Sequence, residues 1–332
     1  MYTIALGEKM KKKTIILGFA AILLGIILVV VGIPYLQPSP VGNYETPSFP
    51  QTIGSEGRYV LAAAYPVVNN SYPVYQTVPL GTTDAEVRRI SDIAGISTNT
   101  KKTEITSEII VISDNSREPA ADLTIYPNSG TYNYRISEKY YPYSTNAQPD
   151  IPSDEKAHTI ATKYLSDRNL LQDDVHFKGV SIGSEYGEHS STSNIVYTLT
   201  KHVLFTKEIQ GIAVYNAGIT VTIGEKGEVV GITNSLRELD PNPVRNVKVI
   251  SPEEAYHRLL SNDLIMKPMS DDSNELVVKY ISLGYWMEIP THAQKYVLPV
   301  YAFSCISVRG DKEEQVMRYV SAVEPSEMQN LS

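Results

Sequence analysis

The 332-residue chain has a single cysteine, Cys305, so no disulfide can form within it and a disulfide-stapled scaffold is excluded. Stability must come from apolar burial, for which the 42% hydrophobic content is sufficient. Cys305 lies in LPVYAFSCISV, where period-two alternation puts it on the face of Tyr301 and Phe303, the setting of a buried, inert thiol. Metal-ligand spacing is also missing: His158, His176, His189, His202, His257 and His292 form neither an HExxH motif nor an i, i+4 pair. No phosphate-cradling glycine loop occurs, and Gly183-Ser184-Glu185-Tyr186-Gly187 has the wrong order for a G-x-S-x-G nucleophile elbow. Glu188, His189 and Ser190 fall in the polar stretch GSEYGEHSSTSN, read as a solvated loop, and Asp271-Asp272 in another. We therefore expect no catalytic residues, no cofactor and no metal.

Positive charge is scarce as well. The formal net charge is −8, and beyond residue 13 there are 25 basic against 36 acidic residues, or −11. That balance argues against nucleic acid and against anionic lipid surfaces as partners.

What the chain does have is Thr14 to Ile33, TIILGFAAILLGIILVVVGI, twenty residues without a charge. At about 1.5 Å per residue a helix of that length spans the ~30 Å hydrocarbon core of a bilayer. Lys9, Lys11, Lys12 and Lys13 precede it, and no Lys or Arg follows from Pro34 to Gly57. By the positive-inside rule, residues 1–13 form a cytoplasmic tail, 14–33 an uncleaved signal anchor, and the bulk of the chain faces outward at the cell membrane. A cleaved signal peptide is the competing reading, but the run is too long for one and lacks an A-x-A-like site. Gly18, Ala21, Gly25 and Gly32 make a small-residue stripe that lets a second helix pack closely, suiting a membrane protein partner or a homodimer; the plainer explanation is that Gly is common in membrane helices. Residues 34–55, rich in Pro, Ser and Thr, read as an extended stalk.

The remainder is expected to be α+β, with antiparallel sheets each packed by a short helix in repeated modules at 56–148, 150–247 and 248–326. The first helix opens with the capping box Thr83 and Glu86 and stops at Gly95; the second is capped by Ser153 and the third by Ser251 with Pro252 at its first position. Alternating runs follow each helix, among them DLTIYPNSGTYNYRI, whose Pro127 to Gly130 turn predicts a hairpin. Tyr132, Tyr134, Tyr140, Tyr141 and Tyr143 cluster and offer a candidate partner surface, against the simpler reading that tyrosine is a favoured strand residue. Sequons place candidate glycosylation at Asn69 and Asn330.

Gly211 to Leu236, read as G-I-x-V-x-x-A-x-I-x-V-x-I followed by G-x-V-x-x-I, resembles the sheet signature of PepSY-type domains and of the related YycI/YycH regulators. SPEEA at Ser251 to Ala255 resembles the helix start of such modules, and the likeness extends over roughly residues 152–326. It implies a membrane-anchored or secreted, non-catalytic protein that binds a protease or a sensor kinase, and it brings no catalytic residues with it. The expected function is thus a non-enzymatic extracytoplasmic binding or regulatory protein. An extracellular small-ligand or glycan sensor is the alternative, and a cell-envelope hydrolase a second alternative that no motif supports. Protease added to intact cells should digest the chain beyond residue 60 and spare residues 1–13, detected with N- and C-terminal epitope tags; the reverse pattern would invert the topology.

Overall fold

The computed structural model describes residues 59–79, 83–96, 102–106, 108–140, 148–189, 194–266, 275–309 and 312–329. The apolar run 14–33, its small-residue stripe and the stalk lie outside these. Among the described residues no helix is long and apolar enough to cross a membrane.

In chain order the elements are β1 (Tyr59–Leu61), β2 (Ser71–Val78), α1 (Asp84–Ala94), β3 (Lys102–Ile105), β4 (Ile110–Asp114), β5 (Ala121–Tyr126) and β6 (Thr131–Ile136). A single helical turn α2 (Ser137–Tyr140) and α3 (Asp154–Ser166) lead into β7 (Val175–His189), β8 (Asn194–Ile209), β9 (Ile212–Tyr215), β10 (Ile219–Ile223) and β11 (Val229–Asn234). Then come β12 (Glu238–Leu239), β13 (Arg245–Lys248), α4 (Pro252–Leu260), β14 (Glu275–Trp286), β15 (Tyr296–Arg309), β16 (Lys312–Ser321) and α5 (Pro325–Met328).

The α+β expectation is overturned. Strands make up 48% of the structure and helices 19%, in a large mixed sheet, so the protein is mostly β. The pairings of β1 with β14 and of β9 with β14 are parallel. The physical reason is that the helices do not each own a sheet. Val87 and Ile90 of α1 and Ala157, Ala161 and Leu165 of α3 sit in one apolar core over the same strands. The caps expected from the sequence are present. Thr83 Oγ1 accepts from Glu86 N at 3.4 Å while Glu86 Oε2 accepts from Thr83 N at 3.2 Å, and Gly95 ends α1 with φ 73°. Ser153 and Ser251 hydroxyl oxygens cap α3 and α4 by accepting from Lys156 N and Glu254 N.

Contacts divide the described chain into two compact units. The larger comprises Val67–Ala255, Ser282–Tyr301 and the residues from Ser321 onward. Its main sheet runs β3-β4-β5-β6-β11-β10-β8 with antiparallel neighbours. Alternation turns Ala121, Leu123 and Ile125 of β5 inward, into the same core as Val203 and Phe205 of β8 and Val221 of β10. The predicted hairpin is present, β5 and β6 joined at Gly130 in the left-handed region (φ 71°). The polar stretch read as a loop is largely strand: β7 and β8 pair from Val175 opposite Lys207 to His189 opposite Asn194. A further apolar group, Tyr75, Ile209, Val214, Tyr285, Met287 and Val297, knits β2, the β8–β9 turn and the ends of β14 and β15 that belong to this unit.

In the smaller unit, formed by the described residues up to Pro66 with Tyr256–Ile281 and Ala302–Val320, β1 pairs parallel with β14 from Tyr59 opposite Leu276 to Leu61 opposite Val278. Tyr256 packs near Phe303 and its hydroxyl donates to the Tyr59 carbonyl at 3.5 Å. Cys305 is buried there as expected, and burial pushes its thiol pKa up to about 12.

His202 of β8 is 4% exposed, with the Tyr140 hydroxyl 3.5 Å from Nε2. Gly183, at a bulge in β7, leaves room for the ring: a Cβ there would stand 2.6 Å from both His202 Cδ2 and Thr200 Oγ1. Burial pushes the imidazole pKa down from 6.5 to about 4. The folded state therefore binds fewer protons than the unfolded chain between these values, so the contribution is intact above pH 6.5 and is lost as pH falls through the window. Urea unfolding at pH 7, 5.5 and 4.5 should show up to ~3 kcal/mol of destabilisation from this residue, and His202→Leu should remove that part of the pH dependence.

Candidate functional site: a charged cleft in the larger unit

Where the main sheet ends, the larger unit encloses a cleft of about 970 Å³. Several local chain reversals build it. After α3, Asn169 adopts φ 54° and Leu170 N donates to Leu165 O, which turns Arg168 and Leu170 toward the cleft. Between β8 and β9, Gln210 (φ 52°) and Gly211 (φ 76°) form a two-residue turn with Ile209 opposite Ile212. Beyond β11, residues 236–241 supply a further wall.

Among the described residues, four cations and four carboxylates line it. Arg89 projects from α1 and is exposed, whereas the Arg168 guanidinium lies 3.7 Å from the Tyr164 ring centre and donates to the carbonyls of Ile93 (2.9 Å) and Tyr164 (3.3 Å). Lys207, only 9% exposed, forms an ion pair with Asp174. Arg237 is 2% exposed, and its Nη2 donates to the carbonyls of Glu288 (3.2 Å), Ile289 (3.0 Å) and His292 (2.7 Å). Its Nε and Nη1 are buried with no acceptor among the described residues. Desolvation lowers the Arg237 pKa, partly opposed by the Glu288 carboxylate. Glu208, Glu238 and Asp240 join Asp174 on the acidic side.

None of these cations was singled out from the sequence. Arg237 sits in SLRELDP, where a lone Arg after a strand carries no signal of its partners, and Lys207 follows an ordinary alternating run. Of the residues that were singled out, Tyr132 lines the cleft but is 4% exposed, its hydroxyl pKa pushed up to about 12 by burial. Tyr134 is equally buried and its hydroxyl accepts from Arg117 Nη1 at 3.1 Å; Tyr140 is half-buried beside His202. Tyr141 and Tyr143 lie outside the described residues, as do Gly18, Ala21, Gly25, Gly32 and Asn330. Asn69 is exposed, with its backbone N–H donating to the Tyr72 hydroxyl. Among the described residues no group of His, Cys, Asp and Glu could hold a metal ion. Arg237→Met would leave three carbonyls without their donor, and should lower unfolding free energy by ~2–4 kcal/mol in chemical denaturation.

Comparison with known proteins gives local and more extended similarities. Residues 196–236 match the Fungalysin/Thermolysin Propeptide Motif, so the stretch running from β8 through β11 carries a propeptide-type motif. The solved structure of an uncharacterized protein from Eubacterium rectale is similar with a TM-score of 0.44 and 9% identity, over 81% of this chain and 88% of that one. No curated protein matches the chain.

Proposed function

We propose that this is a non-enzymatic, single-pass membrane-anchored extracytoplasmic protein that binds and regulates a protein partner. The carrying observation is the propeptide-type motif at 196–236, whose side chains Val203, Phe205, Val221 and Ile232 are spent on the core of the sheet. A motif whose apolar side chains are used in this way serves as a scaffold for presenting surface. The Lys-flanked apolar run and the stalk support an outward-facing location, and the PepSY-type and YycI/YycH resemblance supports a regulatory role toward a membrane neighbour.

A second reading is a small-ligand sensor, favoured by the cleft, whose volume falls at the upper end of the usual range for ligand pockets and whose walls combine apolar and charged groups. The main reading is tested in the membrane. Replacing Gly25 with Leu should cut in-membrane crosslinking to a partner, or to a second copy, several-fold, because bulk on a small-residue stripe separates the helices. Circular dichroism of the variant should be unchanged. Crosslinks equal to wild type for every partner recovered by mass spectrometry would refute a role for the stripe.

A further inference from the structure

We propose that the outer edge of β7 pairs with the same edge of a second copy of this chain, antiparallel about a two-fold axis at Ser181, to form a homodimer through the larger unit. This goes beyond the partner reading above and does not depend on it, since it uses no residue of the apolar run 14–33. Two independent observations meet on this strand. β7 pairs with β8 on one side, and among the described residues no strand pairs with its other edge. N–H and C=O groups along such an edge are left to water, and a free edge is the template on which a further strand adds. No residue from His176 to Glu185 is buried. The same strand also exposes apolar surface: Phe177 is 43% and Ile182 55% exposed, although Phe177 packs edge-on to the buried Phe205 with ring centres 6.0 Å apart. One added strand would satisfy the edge and cover both side chains together.

The irregularities of β7 select the occupant. Against β8 the strand carries two bulges, with Lys178 the extra residue between Phe177 and Gly179, and Gly183 the extra residue between Ile182 and Ser184. A kinked edge of this kind turns away an ordinary straight strand. The two kinks fall on either side of Ser181, however, so in an antiparallel self-pairing centred there the step Lys178–Gly179 of one copy lies opposite Gly183–Ser184 of the other. Kink then meets kink, and Gly179 meets Gly183. The same register sets Val180 of one copy opposite Ile182 of the other, two apolar side chains that alternation puts on one face. Charge agrees with the direction. His176 and Lys178 precede the axis and Glu185 follows it, so antiparallel pairing brings the basic end of each strand beside the acid of the other, whereas parallel pairing would align like charges. A two-fold contact between identical edges closes on itself, leaving neither edge open to a third copy.

Cysteine crosslinking of the full chain in detergent micelles tests this, because Cys305 is buried and does not compete. Directly opposed residues of antiparallel neighbours have Cα atoms about 4.5–5.5 Å apart, within disulfide range, and diagonal ones lie at about 7–8 Å, outside it. Ser181→Cys should therefore give a covalent dimer under mild oxidation. Val180→Cys co-incubated with Ile182→Cys should crosslink about tenfold more than either variant alone. Arg88→Cys, exposed on α1, should stay monomeric under the same conditions. Adding Ile182→Lys to Ser181→Cys should cut the crosslink about tenfold while the circular dichroism spectrum is unchanged, because Ile182 is exposed in the single copy. A dimer yield from Ser181→Cys no greater than from Arg88→Cys would overturn the proposal. Val180→Cys or Ile182→Cys crosslinking alone as readily as the two together would overturn its register.

Discussion

The larger unit depends on the hydrogen-bond demand of one strand. β8 is 16 residues long, and in a folded core each of its N–H and C=O groups needs a partner or water. One edge is answered by β7 along nearly its whole length, from Asn194 opposite His189 to Lys207 opposite Val175. The other is answered by β10 from Lys201 to Phe205, and at Glu208 and Ile209 by β9. The strands that bury α1 and α3 are added outward from that pairing through β10 and β11 to β6. The propeptide-type motif coincides with this framework, starting in β8 and ending just past β11. A motif located there constrains the scaffold, and leaves the surrounding helices and turns free to shape what the scaffold presents.

Buried charge is the second constraint. Lys207 and Arg237 are both buried, Arg237 where desolvation lowers its pKa, and each is met differently. Lys207 has a full countercharge in Asp174. Arg237 has dipoles, three backbone carbonyls between residues 288 and 292, which orient its guanidinium without neutralising it. The same contacts give backbone between β14 and β15 hydrogen-bond donors it would otherwise have to find in water. His202 shows the opposite solution, an imidazole that sheds its proton to remain buried.

Local features were readable in the sequence, and long-range ones were not. Thr83, Ser153 and Ser251 could be recognised as caps because the groups they satisfy lie three residues away. The Pro127 to Gly130 turn was readable because a positive-φ glycine between two alternating runs leaves the chain few alternatives. By contrast, nothing in GSEYGEHSSTSN announces a strand: its polar residues carry no alternation, and its pairing is imposed by the register that β7 and β8 set further down. Tyr132 and Tyr134 alternate as strand residues should, but periodicity does not say which face another element covers. Arg237 was invisible for the same reason, since its acceptors lie 51 to 55 residues along the chain. The mistaken α+β reading has this origin too: three capped helices counted in sequence suggest three cores, and only the folded chain reveals that α1 and α3 share one.

The single thiol has a practical consequence. Cys305 is fully buried in the smaller unit with a pKa of about 12, so in the folded protein it is both shielded and protonated, and thiolate reagents find almost nothing to attack. Its alkylation must wait for that unit to open, which makes the rate of modification a clock for local unfolding, with no label introduced. The native background is correspondingly silent, and any cysteine engineered on the surface would be the only one to react under native conditions.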